Sequence, residues 1–306
     1  KREMSEAQKP KSGFLGSVIE FGEMIKISHT LFAMPFALGS VFLAISLKNA
    51  QSFPSIWTPI LQVVIAVAFA RTAAMAFNRW ADRDIDGHNP RTSQRSIPAG
   101  RLTSAQVLAA SALSTIGFVL TCAWISMEAL WLSPVVLLIV LGYSYTKRVT
   151  WLCHGVLGAG LGLAPIGAWL VVSGEIGNPI PWILGAAVLF WSTGFDIVYS
   201  CQDVNVDRSQ SLNSIPARFG VSTALVISRC CHLIMVSLLG LLCFELKLPL
   251  PLMVATILTA LLLFWGHLLV RSEYRKIGRI ENALLEFNIA ISSIFLISMI
   301  IEVLLS

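Results

Sequence analysis

The chain has 306 residues, of which 56% are hydrophobic and only 13% charged, and its mean hydropathy is +0.75. So little polar surface cannot coat a soluble globule, and the chain belongs in a lipid bilayer. The net charge of +5 would suit nucleic acid if it formed a patch, but the basic residues are placed in loops between apolar stretches, which excludes that partner.

Residues 1–16, with Lys1, Arg2, Lys9 and Lys11, read as a disordered polar tail without a signal-peptide core beside it. A helix that crosses the hydrocarbon layer needs roughly 20 mostly apolar residues. Nine stretches in residues 17–306 qualify, near 25–46, 59–78, 104–125, 129–146, 152–173, 181–200, 223–244, 249–270 and 286–305. Pro134 and a glycine-rich run interrupt the fourth and fifth, where neighbouring helices can re-satisfy the broken backbone groups. Arg79, Arg83, Arg91, Arg95 and Arg101 follow the second stretch, Lys147 and Arg148 the fourth, Arg208, Arg218 and Arg229 the sixth, and Arg271, Arg275, Lys276 and Arg279 the eighth. The alternate loops hold only Lys48 and Lys247. This is the positive-inside pattern of a multi-pass protein with a cytoplasmic amino terminus and, after nine crossings, an external carboxyl terminus. A bacterial inner membrane is the expected location. The six cysteines lie mostly within apolar stretches, show no zinc spacing and read as packing residues.

All six aspartates fall in two short segments, Asp82/Asp84/Asp86 and Asp196/Asp203/Asp207. The first ends the second apolar stretch and the other closes the sixth. Each contains D-x-x-x-D and is followed by Ser-Ile-Pro-Ala, at Ser96 and again at Ser214. A displacement of four helices predicts an all-α bundle of two four-helix halves plus one helix, with a cytoplasmic cap over a central cavity. Asn78, Asp82 and Asp86 stand at i, i+4 and i+8, so one face of a helix continuing past the membrane edge should carry all three. Asp196, Tyr199, Asp203 and Asp207 likewise share a face, while Asp84 points elsewhere. If the two faces meet, four or five carboxylates oppose each other, and repulsion must be relieved by cations such as Mg²⁺, with remaining ligands from water and phosphate. The plainer alternative is a pair of solvated helix ends neutralised by nearby arginines. Arg91 and Arg95 lie in a turn-rich loop able to fold over a ligand, and guanidinium forks suit a diphosphate. Arg71, seven residues before Asn78 within the second stretch, needs a buried partner, either diphosphate or an acid. Lys147 and Arg148 are interfacial anchors or phosphate contacts.

NRWADRDIDGHNPRT, YSYTKRVTW, PIGAWL and DIVYSCQDVNVDR resemble the motifs of the UbiA superfamily of intramembrane prenyltransferases, over most of residues 25–305. The resemblance implies a nine-helix bundle that moves a polyprenyl group from polyprenyl diphosphate to an aromatic ring with Mg²⁺. Asn78, Asp82 and Asp86 match the first metal-diphosphate motif, and Asp203 and Asp207 the second, preceded by Asp196 and Tyr199. The implied reaction is ionisation of the diphosphate followed by alkylation ortho to a ring hydroxyl, with Asp196 orienting or deprotonating that hydroxyl unless it is itself a metal ligand. Lys26 occupies the position of a basic residue thought to meet the carboxylate of an aromatic acid acceptor. The closest likeness is to quinone-pathway members acting on 4-hydroxybenzoate or a naphthoate. Haem, chlorophyllide and glycerophosphate acceptors are the alternatives within the superfamily. Ser144 departs from the proline that many relatives carry there. A CDP-alcohol phosphotransferase is disfavoured because D-x-x-D-G-x-x-A-R is absent, and a cation-coupled transporter because its ionisable groups would lie near mid-membrane.

Overall fold

The computed structural model describes residues 14–25, 27–48, 56–273 and 277–305, with side chains described for all of these except 14–15, 27–33, 271–273 and 277–282. The expected tail falls for residues 1–13, and Lys26 falls entirely, outside the described residues. Among the described residues all regular structure is helical. The long helices are α2 (Ile27–Leu47), α3 (Trp57–Ala81), α5 (Ser104–Ile125), α6 (Met127–Val149), α7 (Cys153–Ser173), α8 (Pro179–Ser200), α11 (Val221–Glu245), α12 (Leu250–Glu273) and α13 (Ile277–Leu305). The short ones are α1 (Phe14–Met24), α4 (Arg83–His88), α9 (Val204–Ser209) and α10 (Ile215–Phe219). Eight helices among the described residues are long and apolar enough to cross a membrane, whereas α2 offers a shorter apolar stretch, Met34–Leu47.

Each boundary has a local cause. Thr103 caps α5 in a reciprocal capping box with Gln106, Ser126 accepts from the Ala129 amide to start α6, and Asn178 with Pro179 starts α8. Both interrupted stretches stand as helices: α6 runs unbroken through Pro134, and α7 runs through its glycines and Pro165. The glycines serve packing. A Cβ on Gly162 would lie 2.5 Å from the Gly185 carbonyl oxygen, and one on Gly158 would lie 2.6 Å from the Leu189 carbonyl oxygen. The backbones of α7 and α8 therefore touch along a small-xxx-small stripe, the contact that substitutes for a hydrophobic driving force between helices in lipid.

The sequence repeat has a geometric counterpart. α3 packs on α5 as α8 packs on α11, α5 on α6 as α11 on α12, and α2 meets α7 across the junction. α13 fits between α12 and α2 and closes the ring. At the centre, Phe36 of α2 stacks with Trp191 of α8 and Phe295 of α13, each at 5.1 Å between ring centroids. The short helices α4, α9 and α10 gather at the end of the bundle where α3, α6 and α8 finish. α1 is tied to the same end through the buried Glu20, which accepts from Ser96 Oγ (2.5 Å) and from Arg101 Nε (2.8 Å).

The α7–α8 contact yields a paired test. Gly162→Ala should destabilise the detergent-solubilised protein by about 1–3 kcal/mol. Gly167→Ala, whose added Cβ meets nothing within 4 Å, should be neutral or gain a few tenths of a kcal/mol from helix propensity. Thermal unfolding of the two variants checks it; equal behaviour would remove the close approach as the basis of packing.

Candidate functional site

Both acidic segments break their helices at the same place. α3 stops at Ala81 and α4 begins after Asp82, whose backbone sits at φ −93° and ψ 6°; α8 stops at Ser200 and α9 begins after Asp203, at φ −99° and ψ 4°. The sequence spacing predicted continuous helix faces, and the structure corrects this. In each half one aspartate sits at the junction of two helices, and the next turn is redirected over the bundle mouth, the Asp86 amide donating to the Asp82 carbonyl (2.7 Å) and the Asp207 amide to that of Asp203 (2.8 Å). Asp84 points away as expected, 79% exposed beside Arg83.

The junctions bring the two segments together around a polar cavity of about 210 Å³ lined by Asn78, Asp82, Asp86, Arg91, Arg95, Lys147, Asp196, Tyr199, Asp203 and Asp207 among others. Every one of the four junction and cap carboxylates has one basic partner. Arg148 Nη2 lies 3.2 Å from Asp82 Oδ1. Arg95 Nη1 donates to both oxygens of Asp86, at 2.7 and 2.8 Å. Arg91 donates through Nε and Nη2 to Asp203, at 3.0 and 2.5 Å. Lys147 Nζ lies 2.7 Å from Asp207 Oδ1. All four cations belong to the first half, so Arg91 and Lys147 pair with acids of the second half. The plainer reading is thus right about the arginines. It is wrong about solvation, because Asp86, Asp203 and Asp207 are buried.

The loop after α4 is shaped for this reach. Asn89 Oδ1 accepts from the Arg91 amide (2.9 Å) in an Asx turn, and its Nδ2 donates to Asp203 Oδ1 (3.1 Å). Arg91 also lies over the Tyr199 ring, 5.4 Å from its centroid. Asn78 Nδ2 donates to Asp82 Oδ2 (2.9 Å). Ser214, in the second Ser-Ile-Pro-Ala, donates to Asp207 Oδ2 (2.8 Å). Arg71 does not reach this cavity. Seven residues before Asn78 it lies about 10 Å deeper and lines a second, apolar cavity of about 330 Å³ enclosed by α3, α5, α6 and α7. Tyr143 and Leu157 line both cavities, so the polar mouth and the apolar space adjoin.

Three contributors escaped the sequence reading. His154 at the start of α7 is buried, and its Nδ1 lies 2.7 Å from Asp196 Oδ2; a lone histidine 42 residues from its partner carries no sequence signal. Arg79, assigned only to topology, is buried in the polar cavity wall, where its one hydrogen bond among the described residues is a long 3.5 Å contact to Asn78. Asn89 stands inside the first acidic motif but between the residues that spacing singles out.

Oxygen donors of this kind fit a hard divalent cation. One buried oxygen lining the cavity, Ser144 Oγ, has no hydrogen-bond partner among the described residues, and Asp207 Oδ1 has only the Lys147 ammonium beside it. No three carboxylate, histidine or cysteine groups among the described residues already converge as a metal cage, so a bound ion would draw further ligands from water or substrate.

The two junction aspartates differ electrostatically. Burial pushes the Asp82 carboxyl above its ordinary range, against the opposing hydrogen bond from Arg148. Burial acts on Asp203 in the same sense, but Arg91 and Asn89 outweigh it and hold that carboxyl below its ordinary range. A lowered carboxyl contributes stability above its unfolded pKa that is lost as pH falls through the folded value, whereas a raised one costs stability once ionised. Without divalent cations at pH 7, Asp203→Asn should therefore lower the melting temperature and Asp82→Asn should raise it. Scanning fluorimetry in detergent separates the cases, and a fall for both would contradict the assignment. The Asp203 contribution should fade as pH drops below about 4.

Residues 33–287 match the model of the UbiA prenyltransferase family. The chain is 32% identical over 165 residues to a 4-hydroxybenzoate octaprenyltransferase of Pseudomonas fluorescens, covering 54% of this chain and 55% of that one. It is 30% identical over 213 residues to an enzyme of the same name from Aliivibrio salmonicida, covering 69% and 72%. The match thus spans little more than half the length of the first relative. Among solved structures, a UbiA homolog from Aeropyrum pernix K1 is 33% identical with a TM-score of 0.78, covering 89% of this chain and 97% of that one. A UbiA homolog from Archaeoglobus fulgidus bound to DMAPP and Mg²⁺ shares the fold at 18% identity and a TM-score of 0.69, covering 94% and 100%. Paired acidic junctions over a membrane-spanning helical bundle, with a family match across residues 33–287, establish that the chain belongs to the UbiA prenyltransferase family.

Proposed function

We propose that this protein transfers a polyprenyl group from polyprenyl diphosphate to an aromatic acid, 4-hydroxybenzoate or a dihydroxynaphthoate, as the names of the relatives suggest for the former. One observation carries the reading: a polar mouth lined by four paired carboxylates and their cations adjoins an apolar cavity within the bundle. A prenyl diphosphate is an amphiphile with that same division. The diphosphate belongs at Arg91, Arg95, Lys147, Arg148 and the under-satisfied Arg79. The isoprenoid tail belongs among the aliphatic and aromatic side chains between α3 and α7, shielded from water. Arg71 lines the apolar cavity below that mouth.

Asp82, Asp86, Asp203 and Asp207 would hold Mg²⁺, with Asn78 orienting Asp82. When bound, the ion neutralises charge that develops on the leaving diphosphate. The guanidiniums do the same from the other side, already oriented by their carboxylate partners, so little reorganisation accompanies ionisation. Tyr199, facing Arg91, helps close the mouth and shields the allylic carbon. Asp196 orients and deprotonates the acceptor hydroxyl. Lys26, outside the described residues, receives the acceptor carboxylate. The asymmetry of basic loops supports a cytoplasmic mouth and amino terminus and an external carboxyl terminus, in a bacterial inner membrane.

The test is transfer from radiolabelled prenyl diphosphate in membranes that contain the protein, with 4-hydroxybenzoate and dihydroxynaphthoates offered in parallel. The expected product forms on one acceptor class and is lost with EDTA. Asp82→Ala and Asp203→Ala should each reduce turnover by at least about 100-fold without loss of membrane insertion. Lys26→Ala should raise the acceptor KM about tenfold, the value of a lost charged hydrogen bond, and leave the prenyl diphosphate KM unchanged. Normal turnover in the aspartate variants would overturn the site, and transfer only to a glycerophosphate, haem or chlorophyllide would overturn the acceptor.

A further inference from the structure

His154 is 3% exposed, and both of its ring nitrogens are engaged. The backbone N–H of Ile215 donates to Nε2 at 3.3 Å. A nitrogen that accepts an N–H has its lone pair there and carries no proton, so the imidazole proton resides on Nδ1 and is donated to Asp196 Oδ2 at 2.7 Å. Asp196 itself lines the polar cavity, with a third of its side chain exposed. Its other oxygen, Oδ1, has no hydrogen-bond partner among the described residues. One carboxylate oxygen is thus locked and the other is presented to the cavity.

The chain of contacts continues beyond Ile215. Its neighbour Ser214 donates to Asp207 Oδ2 (2.8 Å), and the Asn213 amide donates to the Lys147 carbonyl (2.8 Å). Three consecutive residues, Asn213 to Ile215, therefore join the diphosphate side of the cavity to the histidine that holds Asp196.

We propose that His154 is a positioning residue for the prenyl acceptor: held by the Ile215 amide in its Nδ1–H form, it locks Asp196 Oδ2 and reserves Asp196 Oδ1 to take the acceptor's hydroxyl proton. This rests on the phenolic-acceptor reading above. The proton lodges on Asp196 rather than on His154, since a second proton on the ring would set Nε2–H against the Ile215 N–H. As Asp196 takes the phenol proton, the C1–O bond of the prenyl diphosphate breaks with its electron pair leaving on the diphosphate. The ring carbon ortho to the oxygen forms the new bond to C1. That carbon's proton passes to the departing diphosphate, and the restored phenolate recovers its proton from Asp196.

The experiment compares wild type, His154→Leu and His154→Asn on 4-hydroxybenzoate and ring-fluorinated analogues with increasingly acidic hydroxyls. Asparagine keeps an N–H aimed at Asp196. With 4-hydroxybenzoate, His154→Leu should lose about 100-fold in kcat, the scale of an impaired proton transfer, with the prenyl diphosphate KM within twofold of wild type. Relative to wild type on each acceptor, that deficit should shrink as the hydroxyl becomes more acidic, and His154→Asn should recover most of it. A deficit constant across the series, a parallel rise in prenyl diphosphate KM, or an asparagine variant as poor as leucine would overturn the positioning role and leave a structural one. Wild type inactive on every phenol would overturn the acceptor reading and this inference together, an outcome distinct from the first three.

Discussion

Charge compensation at the mouth of an apolar bundle is the constraint on which the remaining architecture depends. Asp86, Asp203 and Asp207 are buried, and carboxylates at such sites are tolerated only with counter-charge. The structure supplies it one for one: Arg148, Arg95, Arg91 and Lys147 for Asp82, Asp86, Asp203 and Asp207. Because two of these pairs cross between the halves, the same interactions that neutralise the acids also join the α3–α4 junction to the α8–α9 junction. Buried ion pairs are poor sources of net stability, since desolvation offsets their attraction, and Asp82 is held above its ordinary range. A fold optimised for stability alone would have replaced them with apolar residues, so their presence is a sign of use.

The two halves share a backbone plan but not a charge plan. Asp82 and Asp203 occupy matching junctions with nearly identical dihedrals, and Ser96 and Ser214 recur in matching loops. Yet the first half brings both acids and the cations, whereas the second brings acids and sends its own arginines elsewhere. Arg208 donates to the Ala217 carbonyl (3.0 Å), and Arg218 lies over the Trp151 and Phe219 rings. A symmetric site would bind a symmetric ligand. This one sets four cations from the first half against two acids from each half.

What the sequence made legible follows from which forces are local. Apolar stretches of membrane-spanning length are a local property, and eight of the expected spans stand among the described residues. The paired D-x-x-x-D segments and the arginines beside them are local too, so spacing and residue type alone name most of the cavity's charged lining. The break at Asp82 and Asp203 was not legible, because i+4 spacing is equally compatible with a continuous helix and with two helices meeting at a shared residue. Nor were the glycines of α7, which look like helix breakers until α8 is laid against them and the Gly185 and Leu189 carbonyls occupy the space a side chain would fill. Arg71 was legible as a charge within a helix but the cavity it lines was not, since a shared face says nothing about which space the side chain meets two turns deeper.

His154 shows why partner identity is the last thing a sequence yields. Its two hydrogen bonds run to Asp196 and to Ile215, 42 and 61 residues away, and each depends on packing that is itself long-range. α7 must lie against α8 for the imidazole to reach Asp196, which requires the glycine stripe. α10 must be capped by Ser214, whose hydroxyl also meets Asp207, for the Ile215 amide to face the ring. The histidine is therefore the point at which helix packing, the second acidic loop and the Asp196 carboxylate meet. A substitution in any of the three would reach Asp196 through it. That arrangement links the second acidic loop to a carboxylate that none of the cap's four ion pairs touches.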